Sequence, residues 1–250
     1  MACAPEPPGA STIGAEPEQG PRTDPAGDRA LAKDGIAGAS AQREYERRRA
    51  AREQRVRARH PKIGGLLLAL VGDPAQTKVW AQGAEGERAV GERLDWLDEA
   101  VVLNDRRVRR PNGRLSRANI DHLVITPTGV WVIDAKTHRG KLEVRRSGGL
   151  FSPRVERLFI NGRDRTGLID GVRRQVDAVA AGLRGSGFDV NVRGALCFVG
   201  TELPLIDQEI AGIAIRGRRG LLKLLRRPGP LGVAQLEQLA AQLEEHFPPA

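Results

Sequence analysis

The chain has 250 residues, enough for one domain of ordinary size with additional segments. Hydrophobic residues make up 40% and aromatic residues only 4%, which predicts a core of aliphatic side chains. The formal net charge of +9 favours a polyanionic partner, with nucleic acid first and an anionic membrane surface second, although a generally basic proteome would give the same charge. No apolar run approaches the roughly 18 residues that a transmembrane helix needs, so no such helix is expected.

The cysteines indicate a reducing environment. Cys3 and Cys197 have neither disulfide spacing nor zinc-ligand spacing in this sequence. Cys197 lies in the apolar run 194–199, which is typical of a small buried side chain. We therefore expect a cytoplasmic location.

The N-terminal third divides into two segments of different character. Residues 1–42 are rich in Ala, Gly and Pro and poor in large apolar side chains, which predicts a disordered tail. Residues 43–78 are predicted to hold a basic helix, ending near His60, and a short apolar helix at 63–71. The basic helix is suited to contact nucleic acid or a membrane surface, or to be a solvated helix with internal Glu–Arg pairs. Its lack of an apolar face slightly favours the second interpretation.

Residues 79–100 are predicted to form the first helix of the core, because Val90, Leu94 and Leu97 recur at helical spacing. Glu87 shares that apolar face. An acid at such a position either serves a functional site or complements the helix dipole near the start of the helix.

A first strand is predicted at 101–103, followed by an arginine-rich loop at 104–117. Guanidinium groups suit phosphate contacts, and in this position they would fix a nucleic acid without reading its sequence. An exposed loop without function is the alternative. The predicted contacts are Arg106, Arg107, Arg109, Arg110, Arg114 and Arg117.

The most informative stretch is a predicted hairpin of strands 120–126 and 130–136, joined by a Pro-Thr-Gly turn. Side chains alternate along a strand, so Asp134 and Lys136 project to the same side. Asp121 lies on the facing strand among apolar neighbours. Because an unpaired buried carboxylate is costly, two acids and a lysine in this arrangement indicate a binding site for a cation and a substrate.

This combination is the one that phosphodiester hydrolysis needs. Carboxylate oxygens suit a hard cation such as Mg²⁺, and a nearby lysine stabilises developing charge on the phosphate. An acid followed two residues later by lysine is also common as an ordinary ion pair, so these residues alone leave both interpretations open.

The remaining elements complete an α/β pattern, with a mixed central sheet and flanking helices. An amphipathic helix is predicted at 167–184, and Gln175 lies on its apolar stripe, where it either supports the site or marks the edge of the stripe. Strands are predicted at 192–200 and 210–215, and a last helix at about 232–246.

The spaced motifs Gly86-Glu87, Asn119-Ile120-Asp121-His122 and the run from Gly129 to Gly140 together resemble the nuclease-related domain (NERD) family. That family belongs to the PD-(D/E)XK nuclease-like superfamily. The resemblance covers roughly residues 80–185 and extends weakly towards 200. It implies a restriction-endonuclease-like core at 79–200. The apolar spacing of the last helix separately predicts that the strand and helices of 201–250 pack on this core.

The resemblance also implies a set of roles. Glu87, Asp121 and Asp134 would bind Mg²⁺ or Mn²⁺, Lys136 would orient or activate the attacking water, and Gln175 would support the site. The superfamily often has Glu where this chain has Asp134, although its pattern permits either acid. The expected function is metal-dependent hydrolysis of nucleic acid, with DNA as the expected substrate. The alternatives are a non-catalytic nucleic-acid-binding module that keeps the fold, and a peripheral scaffold protein.

Overall fold

The computed structural model describes residues 31, 33–59, 75–109, 113–149, 152–185 and 187–250. The strands are β1 (Lys33–Asp34), β2 (Val101–Arg109), β3 (Leu115–Thr126), β4 (Gly129–Thr137), β5 (Leu142–Gly149), β6 (Ser152–Ile160), β7 (Arg163–Asp164), β8 (Val192–Val199), β9 (Gln208–Ile210) and β10 (Ile213–Gly217). The helices are α1 (Ala39–Arg59), α2 (Ala75–Leu94), α3 (Gly167–Gly182), α4 (Arg218–Leu225) and α5 (Val233–His246). None of the helices in the described ranges is long and apolar enough to cross a membrane.

The central sheet is mixed, in agreement with the predicted α/β class. Its seven strands follow the order β1-β2-β3-β4-β8-β10-β9. The run β2-β3-β4 is antiparallel, whereas β4, β8 and β10 are parallel to one another. The predicted central hairpin is β3 and β4, which pair from Thr126 with Gly129 to His122 with Ile133.

Helices cover both faces of this sheet. On one face, Val132 of β4 belongs to the same buried cluster as Val172 of α3 and Leu236 of α5. On the other face, Ile133 clusters with Val90 of α2 and with residues of α4. The alternation of side chains along β4 therefore assigns successive residues to opposite helical layers. A smaller antiparallel sheet, β5-β6-β7, follows β4.

The N-terminal boundary at residue 42 was wrong. Lys33 and Asp34 form β1, which pairs in parallel with β2, and α1 already begins at Ala39. This part of the chain contributes few apolar side chains, but the backbone of β2 and one ion pair hold it in place, as described below. The predicted tail up to residue 30 and the short apolar helix at 63–71 lie outside the described residues.

The arginine-rich segment at 104–117 was also predicted wrongly as a loop. Strand β2 continues to Arg109 and β3 begins at Leu115, so the hairpin arm is much longer than its apolar part. Asp105, with a φ of 54°, and a register shift between Arg107 and Arg109 interrupt the regular alternation. Because the buried positions here carry polar side chains, the hydrophobic pattern did not reveal these strands.

Candidate active site

The site begins where β3 and β4 stop pairing. The last pair of the ladder is His122 with Ile133, and beyond it the Asp121 carboxylate accepts a hydrogen bond of 2.8 Å from the Ala135 N–H. The side chain of Asp121 thus takes the place of a backbone partner and lies between the two strands. It is only 13% exposed, and its fixed position makes it the anchor of the site.

The predicted alternation brings Asp134 and Lys136 together. The Lys136 Nζ lies 2.7 Å from Asp134 Oδ2 and 4.0 Å from Asp121 Oδ2. It also donates to the Ala135 carbonyl at 3.2 Å. One ammonium group therefore lies beside two carboxylates that are almost fully buried.

Glu87 comes from α2, and its position depends on Gly86. A Cβ atom at Gly86 would lie 2.0 Å from the Thr137 Oγ1, so only glycine lets α2 approach the end of β4 this closely. Glu87 lines the same cleft as Asp121 and Asp134. In the Gly-Glu dipeptide, Gly86 therefore allows the helix to pack against β4, and Glu87 contributes its carboxylate to the site.

Burial raises the pKa values of all three acids. Desolvation, followed by the charge of Asp121, raises the pKa of Glu87 to about 8. The same two causes raise the pKa of Asp134 to about 7, and the pKa of Asp121 is raised by burial as well. Acids with such values at the bottom of a cleft are typical of functional sites.

Lys136 remains a cation in this environment. Burial lowers its pKa, but the charges of Asp121 and Asp134 outweigh burial and place the pKa above its ordinary value. Lys136 is therefore a proton donor and a positive charge at neutral pH, not a base.

Gln175 reaches the site from α3, on the opposite side from α2. Its Nε2 donates to the Asn119 carbonyl at 3.0 Å, which connects the helix to β3. The Gln175 Oε1 and the Asn119 Oδ1 are buried acceptors without a donor among the described residues. Both residues line the cleft, so this side of the site offers hydrogen-bond acceptors to a bound group.

The cleft has a volume of about 890 Å³ and an unexpected wall. Its lining includes residues from the first turns of α1, between Ser40 and Arg48, as well as the three acids. The Asp105 carboxylate accepts from the Ser40 N–H at 2.7 Å and from the Asn119 side chain at 3.0 Å. Asp105 thus ties the start of α1 to β3 next to the site. Sequence reasoning missed this role because the two residues that meet, Ser40 and Asp105, are 65 positions apart.

The six arginines predicted to contact nucleic acid have different environments. Arg106 is 1% exposed and forms an ion pair with Asp34 of β1, so its assignment as a nucleic-acid contact was wrong. Arg107 lines the cleft, and its Nε is buried without an acceptor among the described residues. Arg109 and Arg114 are exposed. Arg110 and the side chain of Arg117 lie outside the described part of the structure.

The three acids suit a divalent cation by their chemistry. Oxygen ligands on anionic side chains are what Mg²⁺ and Mn²⁺ select, and their raised pKa values reflect burial and mutual repulsion that a cation would relieve. Within the described ranges, however, no three His, Cys, Asp or Glu side chains converge into a ready metal-binding group.

One comparison with known proteins found a related family. Residues 82–199 match the family described as the nuclease-related domain. The match contains Glu87, Asp121, Asp134, Lys136 and Gln175. Searches among curated proteins and among solved structures gave no significant match to this chain.

Proposed function

We propose that this protein is a metal-dependent nuclease, with DNA as its expected substrate, because residues 82–199 match the nuclease-related domain family. The observation that carries the proposal is the cluster of Glu87, Asp121, Asp134 and Lys136 at one cleft. Three acids with raised pKa values beside a protonated lysine are difficult to justify as a structural cluster, since apolar side chains would fill the same space at lower cost.

In this proposal the acids hold Mg²⁺ or Mn²⁺. Glu87, Asp121 and Asp134 are the ligands, and Asp121 is already fixed by the Ala135 N–H. The bound cation would neutralise charge on the scissile phosphate and lower the pKa of a water molecule.

The other residues act through charge and hydrogen bonding. Lys136, protonated at neutral pH, orients the attacking water and stabilises charge on the phosphate oxygens. Gln175 supports the site through its bond to the Asn119 carbonyl. Arg107, at the cleft, offers a guanidinium to a neighbouring phosphate of the nucleic acid. The basic net charge of +9 favours association with this polyanion. Consistent with the cytoplasmic location that we propose, Cys197 is buried and free.

Two observations favour the non-catalytic alternative. Lys136 is ion-paired with Asp134 at 2.7 Å, and the described acids do not form a three-ligand group. A protein that kept the fold as a nucleic-acid-binding module would tolerate this arrangement.

A nuclease assay separates the two functions. The full chain would be incubated with supercoiled plasmid, single-stranded DNA and single-stranded RNA, with Mg²⁺, Mn²⁺ or EDTA. We expect metal-dependent cleavage of DNA, and a loss of about 100-fold or more in Asp134→Asn and in Lys136→Met. Glu156→Gln is the control, because Glu156 is also ion-paired, with Arg146 at 2.8 Å, but lies outside the cleft.

Two results would contradict the proposal. Cleavage that persists in EDTA or in Asp134→Asn would point to a contaminating or different activity. DNA binding without cleavage by the wild-type protein in either metal would establish the non-catalytic module instead.

A further inference from the structure

The wall of the cleft formed by α1 contains an unusual ion-pair group. The Glu44 carboxylate accepts from Arg47 Nε and Arg47 Nη2, each at 2.9 Å, and from Arg48 Nε at 2.5 Å. All three residues line the cleft that also contains the acids. A single carboxylate is thus held by two guanidinium groups at the site where a nucleic acid would enter.

The exposure of these side chains is uneven. The Glu44 side chain is 21% exposed, whereas Arg47 is 75% exposed and Arg48 43%. The carboxylate is therefore the covered partner, while the guanidinium groups remain open to solvent. The hydrogen bonds from Arg48 and then Arg47 hold the pKa of Glu44 below its ordinary value, so this carboxylate is ionised at neutral pH.

We propose that Arg47 and Arg48 form a binding site for a backbone phosphate of the nucleic acid, and that the Glu44 carboxylate occupies this site in the free protein. This inference rests on the proposed function and names the contact that holds the strand beside the acids. Guanidinium groups bind carboxylates and phosphates through the same fork of N–H donors, so a phosphate can replace the carboxylate.

The charges of the cleft support this assignment. The side that holds Glu87, Asp121 and Asp134 repels a phosphodiester unless cations compensate. Arg47 and Arg48, on α1, supply positive charge to the same cleft. The hydrogen bond from Ser40 to Asp105 fixes the start of α1, so this charge is held at the cleft by the fold.

The same helix contains a matched control group. Glu53 lies 3.2 Å from Arg49 and 3.9 Å from Arg57, which are four residues before and four residues after it, whereas the arginines of the cleft group follow Glu44 by three and four residues. Neither Glu53 nor these arginines line the cleft. The two groups therefore have similar chemistry and helical context, and differ in their position relative to the site.

The test measures the affinity of the full chain for a fluorescent 20-base-pair DNA duplex in EDTA, so that hydrolysis does not interfere. Glu44→Gln removes the competing charge, and we expect the affinity to increase about two- to fivefold. Arg47→Ala/Arg48→Ala should weaken binding and reduce the slope of log affinity against log salt by about 0.9, since the two arginines together bind one phosphate. Alanine preserves helix propensity, and circular dichroism checks that α1 remains folded.

The control group decides between a site and a generally basic helix. Glu53→Gln and Arg49→Ala/Arg57→Ala should change the affinity and the salt slope much less than the cleft variants do. Equal changes in affinity and salt slope from the two groups would overturn the inference, because the arginines along the whole of α1 would then contribute equally to binding. An unchanged affinity in Glu44→Gln, with unchanged slope in the double arginine variant, would overturn it as well.

This outcome is separable from that of the proposed function. Normal Mg²⁺-dependent cleavage in Arg47→Ala/Arg48→Ala with unaltered binding would contradict the phosphate site alone. A reduced salt slope of DNA binding in that variant, together with no DNA cleavage by the wild type, would support the phosphate site and contradict the nuclease.

Discussion

The two walls of the cleft contain the same kinds of charged group under opposite conditions. On the sheet, Asp121 and Asp134 share Lys136, are nearly buried, and have raised pKa values. On α1, Glu44 shares Arg47 and Arg48 close to solvent, and its pKa is lowered. In both groups a carboxylate lies within hydrogen-bonding distance of a positively charged side chain.

The difference lies in solvation. A buried carboxylate loses the stabilisation that water gives to its charge, and one ammonium group does not replace that loss for two acids. The Glu44 carboxylate, which is 21% exposed, keeps part of its water and gains two guanidinium partners. The sheet group is therefore a poorly neutralised acidic cluster that suits a cation, whereas the α1 group is a well-neutralised pair of arginines that suits an exchangeable anion.

The largest effect on stability is expected at Arg106. Its buried side chain forms an ion pair with Asp34, apart from the two charged groups of the cleft. Arg106→Ala removes a fully buried side chain and its pair with Asp34, and should lower the free energy of unfolding by about 3 kcal/mol in chemical denaturation. Arg109→Ala, at an exposed position of the same strand, should have little effect. If Arg106→Ala instead left stability unchanged and reduced the salt slope of DNA binding, Arg106 would be a phosphate contact after all.

The second prediction concerns the position of Glu87 in the acidic cluster. Gly86→Ala places a Cβ against the Thr137 Oγ1 and should cost about 1–3 kcal/mol, while reducing cleavage because Glu87 is displaced. Gly83→Ala on the same helix meets no atom within 4 Å and should be neutral or stabilising by up to about 1 kcal/mol.

Thr137→Ala provides the rescue for this prediction. The Thr137 Oγ1 has no hydrogen-bond partner in the described structure, so its removal loses little and makes room for the new methyl group. The double variant should recover both stability and cleavage. Continued loss of cleavage in a double variant of normal stability would show that the close approach of α2 is not what positions Glu87.

The third prediction concerns pH. An acid whose pKa is raised by folding binds more protons in the folded state than in the unfolded state, so the free energy of unfolding falls as the pH rises. For Glu87 this decrease takes place between its ordinary pKa of 4.5 and its raised pKa of about 8. Buried His122, with its pKa lowered by desolvation to about 4, has the opposite effect below pH 6.5. Between pH 6.5 and 8 and without divalent metal, stability should therefore decrease.

Glu87→Gln isolates this contribution. At pH 8 the variant should be more stable than the wild type by about 1–2 kcal/mol, and the advantage should shrink towards pH 6. Glu85→Gln, at an exposed position of the same helix, is the control variant. Equal pH profiles for Glu87→Gln and the wild type would mean that Glu87 is well solvated.

The sequence predicted the local parts of this site and missed its long-range parts. Alternation along a strand placed Asp134 and Lys136 on one side, and the hairpin turn brought Asp121 opposite them. Helical spacing placed Glu87 on the packed face of α2. These predictions depend on periodicities of two and 3.6 residues, which short stretches of sequence contain.

The missed features depend on residues far apart in the chain. The burial of Arg106 requires Asp34, 72 positions earlier, and no pattern within β2 indicates it. The docking of α1 requires Asp105, whose left-handed backbone breaks the alternation. The internal Glu–Arg pairs predicted for α1 are present, but their spacing contains no information about what the helix packs against.

The central claim is that the acidic cluster binds a divalent cation, and thermal melts with and without Mg²⁺ test it most directly. Mg²⁺ at ten times its dissociation constant should stabilise the wild type by about 1.4 kcal/mol, a rise in Tm of about 3–6 °C. Asp134→Asn should be at least as stable as the wild type without metal, because it relieves carboxylate repulsion, and its Tm should not respond to Mg²⁺. A wild type without any metal response, together with an Asp134→Asn variant destabilised by about 3–5 kcal/mol, would show that the cluster is structural.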